Sequence, residues 1–157
     1  MSGYMSITLS LLFATSVACS TNVSLLHSDA VAAQEAAVEF LARQNSVAPA
    51  PLVCVRVASG PGEMVEGRVA KHLQDPPATV LDRLRAKGLA VEAFSGCKPD
   101  DRAGLVLSIG WPTRAPEGAE VSADRLCGFD CGGGFRVHVL KTGERWRATG
   151  ATPTWIS

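Results

Sequence analysis

The sequence has no excess of charge and few aromatic residues. Its 157 residues carry 15 basic and 15 acidic side chains, and only 6% of the residues are Phe, Trp or Tyr. A nucleic-acid-binding protein needs a basic surface, and a single-strand binder adds aromatic side chains on which bases stack. The composition therefore argues against nucleic acid as a partner and against attraction to an anionic surface.

The sequence also lacks the patterns of common catalytic and cofactor sites. No serine stands in a Gly-x-Ser-x-Gly nucleophile elbow. A strand pattern follows the glycine run 132–134, whereas a phosphate-binding loop leads into a helix, so close packing, a bulge or a tight bend explains these glycines better. His27, His72 and His138 share no metal-ligand spacing. We therefore predict no metal and no cofactor, and we favour a protein that is not an enzyme.

No charged residue occurs between Met1 and Val23, and this stretch contains the apolar run 7–14. The run is too short for a membrane anchor, which needs about 20 apolar residues, and it suits an export signal. Residues 16–19, Ser-Val-Ala-Cys, fit a signal-peptidase site and also resemble a relaxed lipobox, in which Cys19 is lipidated. The predicted organisation is an export signal at 1–18, a tether at 19–28 and a single domain at 29–157.

The sequence has five cysteines, and lipidation of Cys19 leaves an even set that an oxidising compartment would pair. Three connectivities are open, and we favour Cys127 with Cys131 and Cys54 with Cys97. Cys127 and Cys131 are separated by three residues, unlike a redox Cys-x-x-Cys pair. A zinc site would need Cys54 and Cys97 to converge on them without the usual short spacings. Structural disulfides are therefore the favoured interpretation.

Two segments have the pattern of helices. The first runs over 28–44, with Ser28 or Asp29 as its N-cap and Glu35 on the side away from the apolar stripe. The second begins after Asp75, which we predict as a cap ahead of two prolines, and ends at the Ala-Lys-Gly of 86–88. Both helices are amphipathic, and each is expected to pack on a sheet.

Several segments have the pattern of strands. Residues 52–57 and 105–111 are short and rich in apolar or β-branched residues, and 120–126 is interpreted as a further strand that leads into Cys127, whereas 64–73 is ambiguous between a strand and an irregular connection. From residue 135 the side chains alternate, reverse at 141–144 and alternate again, which predicts a C-terminal β-hairpin. The fold class is therefore α+β, with two helices packed on a mainly antiparallel sheet of about four to five strands.

The polar side of this hairpin is rich in basic residues. Arg136 and His138 alternate with the apolar residues of the first strand, and Arg145 and Arg147 follow in the second. A solvated sheet face is the simpler explanation for such residues. A surface that binds an acidic ligand is the functional alternative, and these four residues are the candidate ligand surface.

The C-terminal tail resembles that of a group of small uncharacterised bacterial exported proteins and lipoproteins. These tails carry Cys-Gly, two variable residues, Cys-Gly, a further Gly, an alternating strand, a Gly-x-Trp turn and a final Trp-Ile-Ser. The corresponding elements are Cys127-Gly128, Cys131-Gly132, Gly134, 135–140, 143–146 and 155–157. Two residues, not one, separate Gly143 from Trp146. The resemblance implies export and disulfide use, and it implies no catalytic residue.

These observations predict an exported, non-enzymatic domain of the cell envelope or the secreted fraction. It would bind a protein partner or a small ligand and touch the membrane only through a lipid on Cys19. One alternative is a cystatin-like or nuclear-transport-factor-like small enzyme or ligand carrier, with a pocket between helix and sheet near Trp111 and Trp146. Another is a periplasmic inhibitor or immunity-type protein.

Overall fold

The structure, a computed structural model, describes residues 25–44, 51–62, 72–97, 104–127 and 131–156. Among these residues the chain forms two α-helices, one 3₁₀ turn and eight strands. In chain order they are α1 (His27–Arg43), β1 (Val53–Ala58), β2 (Leu73–Gln74), α2 (Ala78–Ala86), β3 (Val91–Ala93), the 3₁₀ turn (Phe94–Gly96), β4 (Leu105–Ile109), β5 (Thr113–Ala115), β6 (Gly118–Leu126), β7 (Gly132–Thr142) and β8 (Arg145–Ile156).

The strands form one sheet in the order β2-β1-β4-β6-β7-β8, with β3 beside β1 and β5 beside β6. Strand β1 runs parallel to β3 and β4, and the other pairs are antiparallel. The α+β class with two α-helices on a mainly antiparallel sheet is therefore confirmed for the described chain. The predicted count of four to five strands is wrong, because β2, β3 and β5 have only two or three residues each, too few to show a period of two.

One face of the sheet carries both α-helices and the hydrophobic core. The alanine-rich side of α1 allows the helix to lie close to the strands, and α2 adds Val80, Leu81 and Leu84. The largest fully buried side chains are Leu41, Leu84, Leu105, Leu107 and Ile109. Each contributes roughly 1.5 to 3 kcal/mol by its removal from water. This burial holds the helices on the sheet.

The predicted C-terminal hairpin is confirmed. Strands β7 and β8 pair along their whole length and are joined by a turn in which Gly143 has φ 61°, a conformation that glycine adopts without strain. Strand β8 lies at the end of the strand order, which fits the edge position that Pro153 predicts. The register shifts between Gly134 and Phe135 and again between His138 and Val139.

Two disulfides join the cysteine pairs that the sequence favours. Cys54 of β1 is bonded to Cys97, which follows the 3₁₀ turn. Cys127 is bonded to Cys131 immediately before β7. The first bridge links segments that are far apart in the sequence, whereas the second closes a short loop.

The predicted side-chain caps are wrong for both helices. Leu26 is the N-cap of α1 and Pro77 that of α2, and neither makes a side-chain cap hydrogen bond. Asp75 instead accepts hydrogen bonds from the backbone N–H and the hydroxyl of Ser95 in the 3₁₀ turn. Asp29 lies in the first turn of α1 and binds the hairpin. In both cases the carboxylate binds a partner in another element instead of capping the helix.

The sequence pattern places Glu35 on the side of α1 away from the apolar stripe, but the residue is buried there. Glu35 is only 8% exposed, because α2 covers it. Glu35 accepts a hydrogen bond of 2.6 Å from Arg83 and lies 3.3 Å from the Lys87 ammonium. The hydrogen bond that Arg83 donates to Glu35 raises the pKa of Arg83. The pairing therefore holds α1 against α2.

Asp29 connects α1 to the hairpin. Its carboxylate accepts hydrogen bonds of 2.8 Å from Lys141 Nζ and 3.1 Å from Trp146 Nε1. The bond from Lys141, followed by that from Trp146, lowers the pKa of Asp29. A carboxyl group whose pKa is lowered by folding stabilises the folded protein at pH values above its unfolded pKa of about 4. This stabilisation is lost as the pH falls through the pKa of the group in the folded protein.

We therefore expect the stabilisation by Asp29 to disappear in acid. The free energy of unfolding should differ between the wild type and Asp29→Asn at pH 7, and the difference should shrink as the pH falls below about 4, since both side chains are then uncharged. Urea titrations at several pH values would measure it. A difference that stays constant from pH 7 to pH 2 would show that the charge of Asp29 has no role.

Some predictions concern residues outside the described ranges. They include the export signal at 1–18, Cys19, the first part of the tether and most of the ambiguous segment 64–73. In the described part of the chain, neither α-helix has the length and apolar character needed to span a membrane.

Candidate functional site

The candidate site is the sheet face opposite α1 and α2, which we call the open face. Side chains alternate between the two faces along a strand, so residues between core positions point to this second face. Both described α-helices pack on the other side. The open face carries Arg56, Val106, Ser108, Glu120, Ser122, Asp124, Leu126, Arg136, His138, Thr152 and Trp155.

One row of residues crosses five strands of this face. The strand register pairs Arg56 with Ser108, Ser108 with Asp124, Asp124 with Gly134 and Gly134 with Trp155. Arg56 Nε donates a hydrogen bond of 2.7 Å to Ser108 Oγ. Trp155 Nε1 donates one of 3.0 Å to Asp124 Oδ1. Ser108 and Asp124 are 1% and 7% exposed, so the middle of the row is shielded from solvent.

Gly134 allows this row to form. Trp155 reaches Asp124 by laying its indole across the backbone of Gly134, and a Cβ atom there would collide with the indole ring and with Thr154 Oγ1. Close packing and a shift of register therefore account for Gly134 in the glycine run, as the sequence predicts. The sequence did not identify Trp155 or Asp124 as the reason, because their contact depends on the pairing of three strands.

A second polar group lies on the same face. Glu120 Oε2 is 3.6 Å from Arg136 Nε, and Glu120 Oε1 is 3.3 Å from His138 Nδ1. The other ring nitrogen of His138 lies 3.0 Å from Thr152 Oγ1. An acidic residue thus stands between two basic ones, which reduces the positive charge that the sequence suggests for this surface.

The structure divides the predicted ligand surface in two. Arg136 and His138 lie together beside Glu120. Arg145 and Arg147 are exposed near the turn of the hairpin, where they pair in register with Thr142 and Leu140. Arg56 could not be identified from the sequence, because a single Arg in an apolar strand gives no signal of its own. Glu120 could not be identified either, because its partners come from the next strand.

An open groove borders this face near the hairpin bulge. It has a volume of about 440 Å³ and is lined by residues 115–119, 138–140 and Thr149. Gly118 lies in its wall with φ 153°, and a side chain there would strike the carbonyl oxygen of Val139. The groove adds concave surface beside His138.

Trp111 and Trp146, the two tryptophans named for a pocket between helix and sheet, lie in two different hydrophobic clusters. Trp111 packs with Ala30 and Ala58 in a small cluster, whereas Trp146 packs against the main core and binds Asp29. Among the described residues, no group of three His, Cys, Asp or Glu side chains could hold a metal ion.

The fold and the site thus define a disulfide-bonded α+β domain with helices on one side of its sheet and a polar, partly aromatic surface on the other. No protein-family model matches the chain, and no curated protein or solved structure matches it either.

Proposed function

We propose that this protein is an exported binding domain that recognises a protein partner or a small ligand through its open face. The observation that carries the proposal is the row from Arg56 to Trp155. Hydrogen bonds hold its polar groups in place on a face away from both described helices. Polar groups fixed in advance lose little freedom on binding, which favours recognition.

Export is part of the same proposal. The two disulfides suit an oxidising compartment. The export signal at 1–18, the lipidation of Cys19 and membership in the group of uncharacterised exported proteins are proposed on the sequence patterns above. The lipid would keep the domain at the cell envelope, while cleavage by signal peptidase would release a secreted form. Labelling with a palmitate analogue distinguishes the lipid-anchored form from the secreted form, because only the lipid-anchored form takes up the label and a Cys19→Ala variant does not.

Binding explains the open face better than catalysis does. Glu120, His138 and Thr152 follow one another in the order carboxylate, imidazole and hydroxyl, as in a hydrolase relay. However, the His138 and Glu120 side chains are 41% and 35% exposed, whereas a catalytic relay works where water is excluded. Cross-strand pairing on a solvated sheet accounts for these contacts.

The test is capture from an envelope extract of the native cells with the immobilised, oxidised protein. An Arg136→Ala/His138→Ala variant should capture at least about tenfold less partner than the wild type, because two side chains at the centre of the open face are removed. Asp82→Ala, on the exposed side of α2, should capture as much as the wild type. Equal capture by all three proteins, each checked for native unfolding behaviour, would argue against the open face.

A further inference from the structure

We infer that the open face binds a carboxylate attached to an apolar group, with Arg56 as the residue that holds the carboxylate. This inference rests on the proposed function and names the chemistry of the ligand. It comes from three features at the β1–β4 end of the face. They are a fixed guanidinium that has no acidic partner among the described residues, an apolar strip beside it, and two neighbouring carboxylates.

The guanidinium of Arg56 is fixed, and in the described part of the chain only its Nε–H donates a hydrogen bond. Its Nε is bonded to Ser108 Oγ, and its Cζ lies 4.7 Å from the centre of the Phe94 ring. No carboxylate of the described residues forms an ion pair with it. A guanidinium has five N–H donors in a planar fork, and a carboxylate accepts two of them side by side. Because Ser108 and Phe94 already restrict the side chain, little further entropy is lost on binding.

An apolar strip lies directly beside this guanidinium. Val106 stands two residues before Ser108 on the same face, and the register pairs it with Cys54 on one side and Leu126 on the other. Leu126 is 37% exposed and Phe94 is 41% exposed. Such a strip next to a single charged group is the usual composition of a small-ligand site. The apolar part of a ligand would cover it.

Two carboxylates limit the charge that the ligand can carry. Asp124 lies beyond Ser108 in the same row, and Glu92 pairs in register with Cys54. Either would repel a second negative charge on the ligand. The arrangement therefore favours a monocarboxylate over a phosphate or a dicarboxylate. A free aliphatic acid and the C-terminus of a peptide both present this chemistry.

The test uses the full chain with its disulfides oxidised and follows the NMR signals of Arg56 Nε–H and the Trp155 indole. Decanoate should shift the Arg56 signal saturably, and decanol and decylammonium should bind at least about tenfold more weakly, since neither gives the guanidinium a charged acceptor. Acetyl-Ala-Leu and its C-terminal amide form the peptide arm. Tighter binding of decanoate than of this peptide identifies a free acid as the source, and the reverse order identifies a chain terminus.

A matched pair of variants assigns the site. Arg56→Gln should weaken decanoate binding at least about tenfold, whereas Arg43→Gln, on α1 at the other side of the sheet, should leave it within about twofold. If Arg56→Gln disturbs the fold, the comparison of decanoate, decanol and decylammonium on the wild-type protein still tests the inference. Decanol binding as tightly as decanoate, decylammonium binding more tightly, or the absence of saturable shifts in both arms would overturn the inference. Continued loss of partner capture by the Arg136→Ala/His138→Ala variant would then leave the proposed function standing.

Discussion

Removal of the Cys54–Cys97 disulfide is expected to lower the free energy of unfolding by about 4 kcal/mol. The two cysteines are 43 residues apart, so the bond restricts a long loop in the unfolded chain. Cys54 is 6% exposed, and its replacement leaves a small void in addition. A Cys54→Ala/Cys97→Ala variant, unfolded in guanidinium chloride and followed by tryptophan fluorescence, measures the loss.

The other disulfide provides the matched control. Cys127 and Cys131 are four residues apart, and the same chain-entropy argument gives about 2 kcal/mol for their bond. The Cys127→Ala/Cys131→Ala variant should therefore be more stable than the Cys54→Ala/Cys97→Ala variant. If the two variants lost equal stability, or if the Cys127→Ala/Cys131→Ala variant were the less stable, the disulfides would not act by restricting the unfolded chain.

Replacement of Gly134 by alanine is expected to cost about 3 kcal/mol. The new Cβ would displace the Trp155 indole, and Asp124, which is 7% exposed, would lose the hydrogen bond that Trp155 donates. Overpacking and the loss of a partner for a buried carboxylate each destabilise by about 1 to 3 kcal/mol. The measurement is the free energy of unfolding in urea.

A double-mutant cycle tests the cause of this loss. In a Trp155→Ala background, Gly134→Ala should cost about 1 kcal/mol or less, because the ring that it displaces is gone. Gly150 of the same hairpin is the control, since a Cβ there meets nothing within 4 Å and should change stability by less than about 0.5 kcal/mol. If Gly134→Ala costs the same with and without Trp155, the indole is not responsible.

The elements that sequence reasoning found are those whose signal is local. The alternation from Phe135 onward and the turn at Gly143 are enough to predict the hairpin. The prolines before α2 and the glycine after it are enough to predict that helix. The strands β2, β3 and β5 were missed because two or three residues carry no period. Their pairing with β1 and β6 is decided by neighbours distant in the sequence.

The charged residues were harder to predict than the apolar ones. A pattern of charges cannot show whether another element will cover them. Glu35 is covered by α2, Asp29 binds the hairpin and Asp75 binds Ser95. The row from Arg56 to Trp155 requires the register of five strands, and no single segment contains that information. What the sequence did indicate was a tight approach at the glycine run.

The position of β8 affects self-association. A strand of 12 residues at the end of the strand order could accept a strand from a second copy of the protein. Several features oppose such stacking. Pro153 lacks an N–H, two register shifts bend the ribbon, and the exposed Arg145 and Arg147 repel their equivalents. We therefore expect molecules of this protein to stay separate at high concentration, leaving each open face accessible.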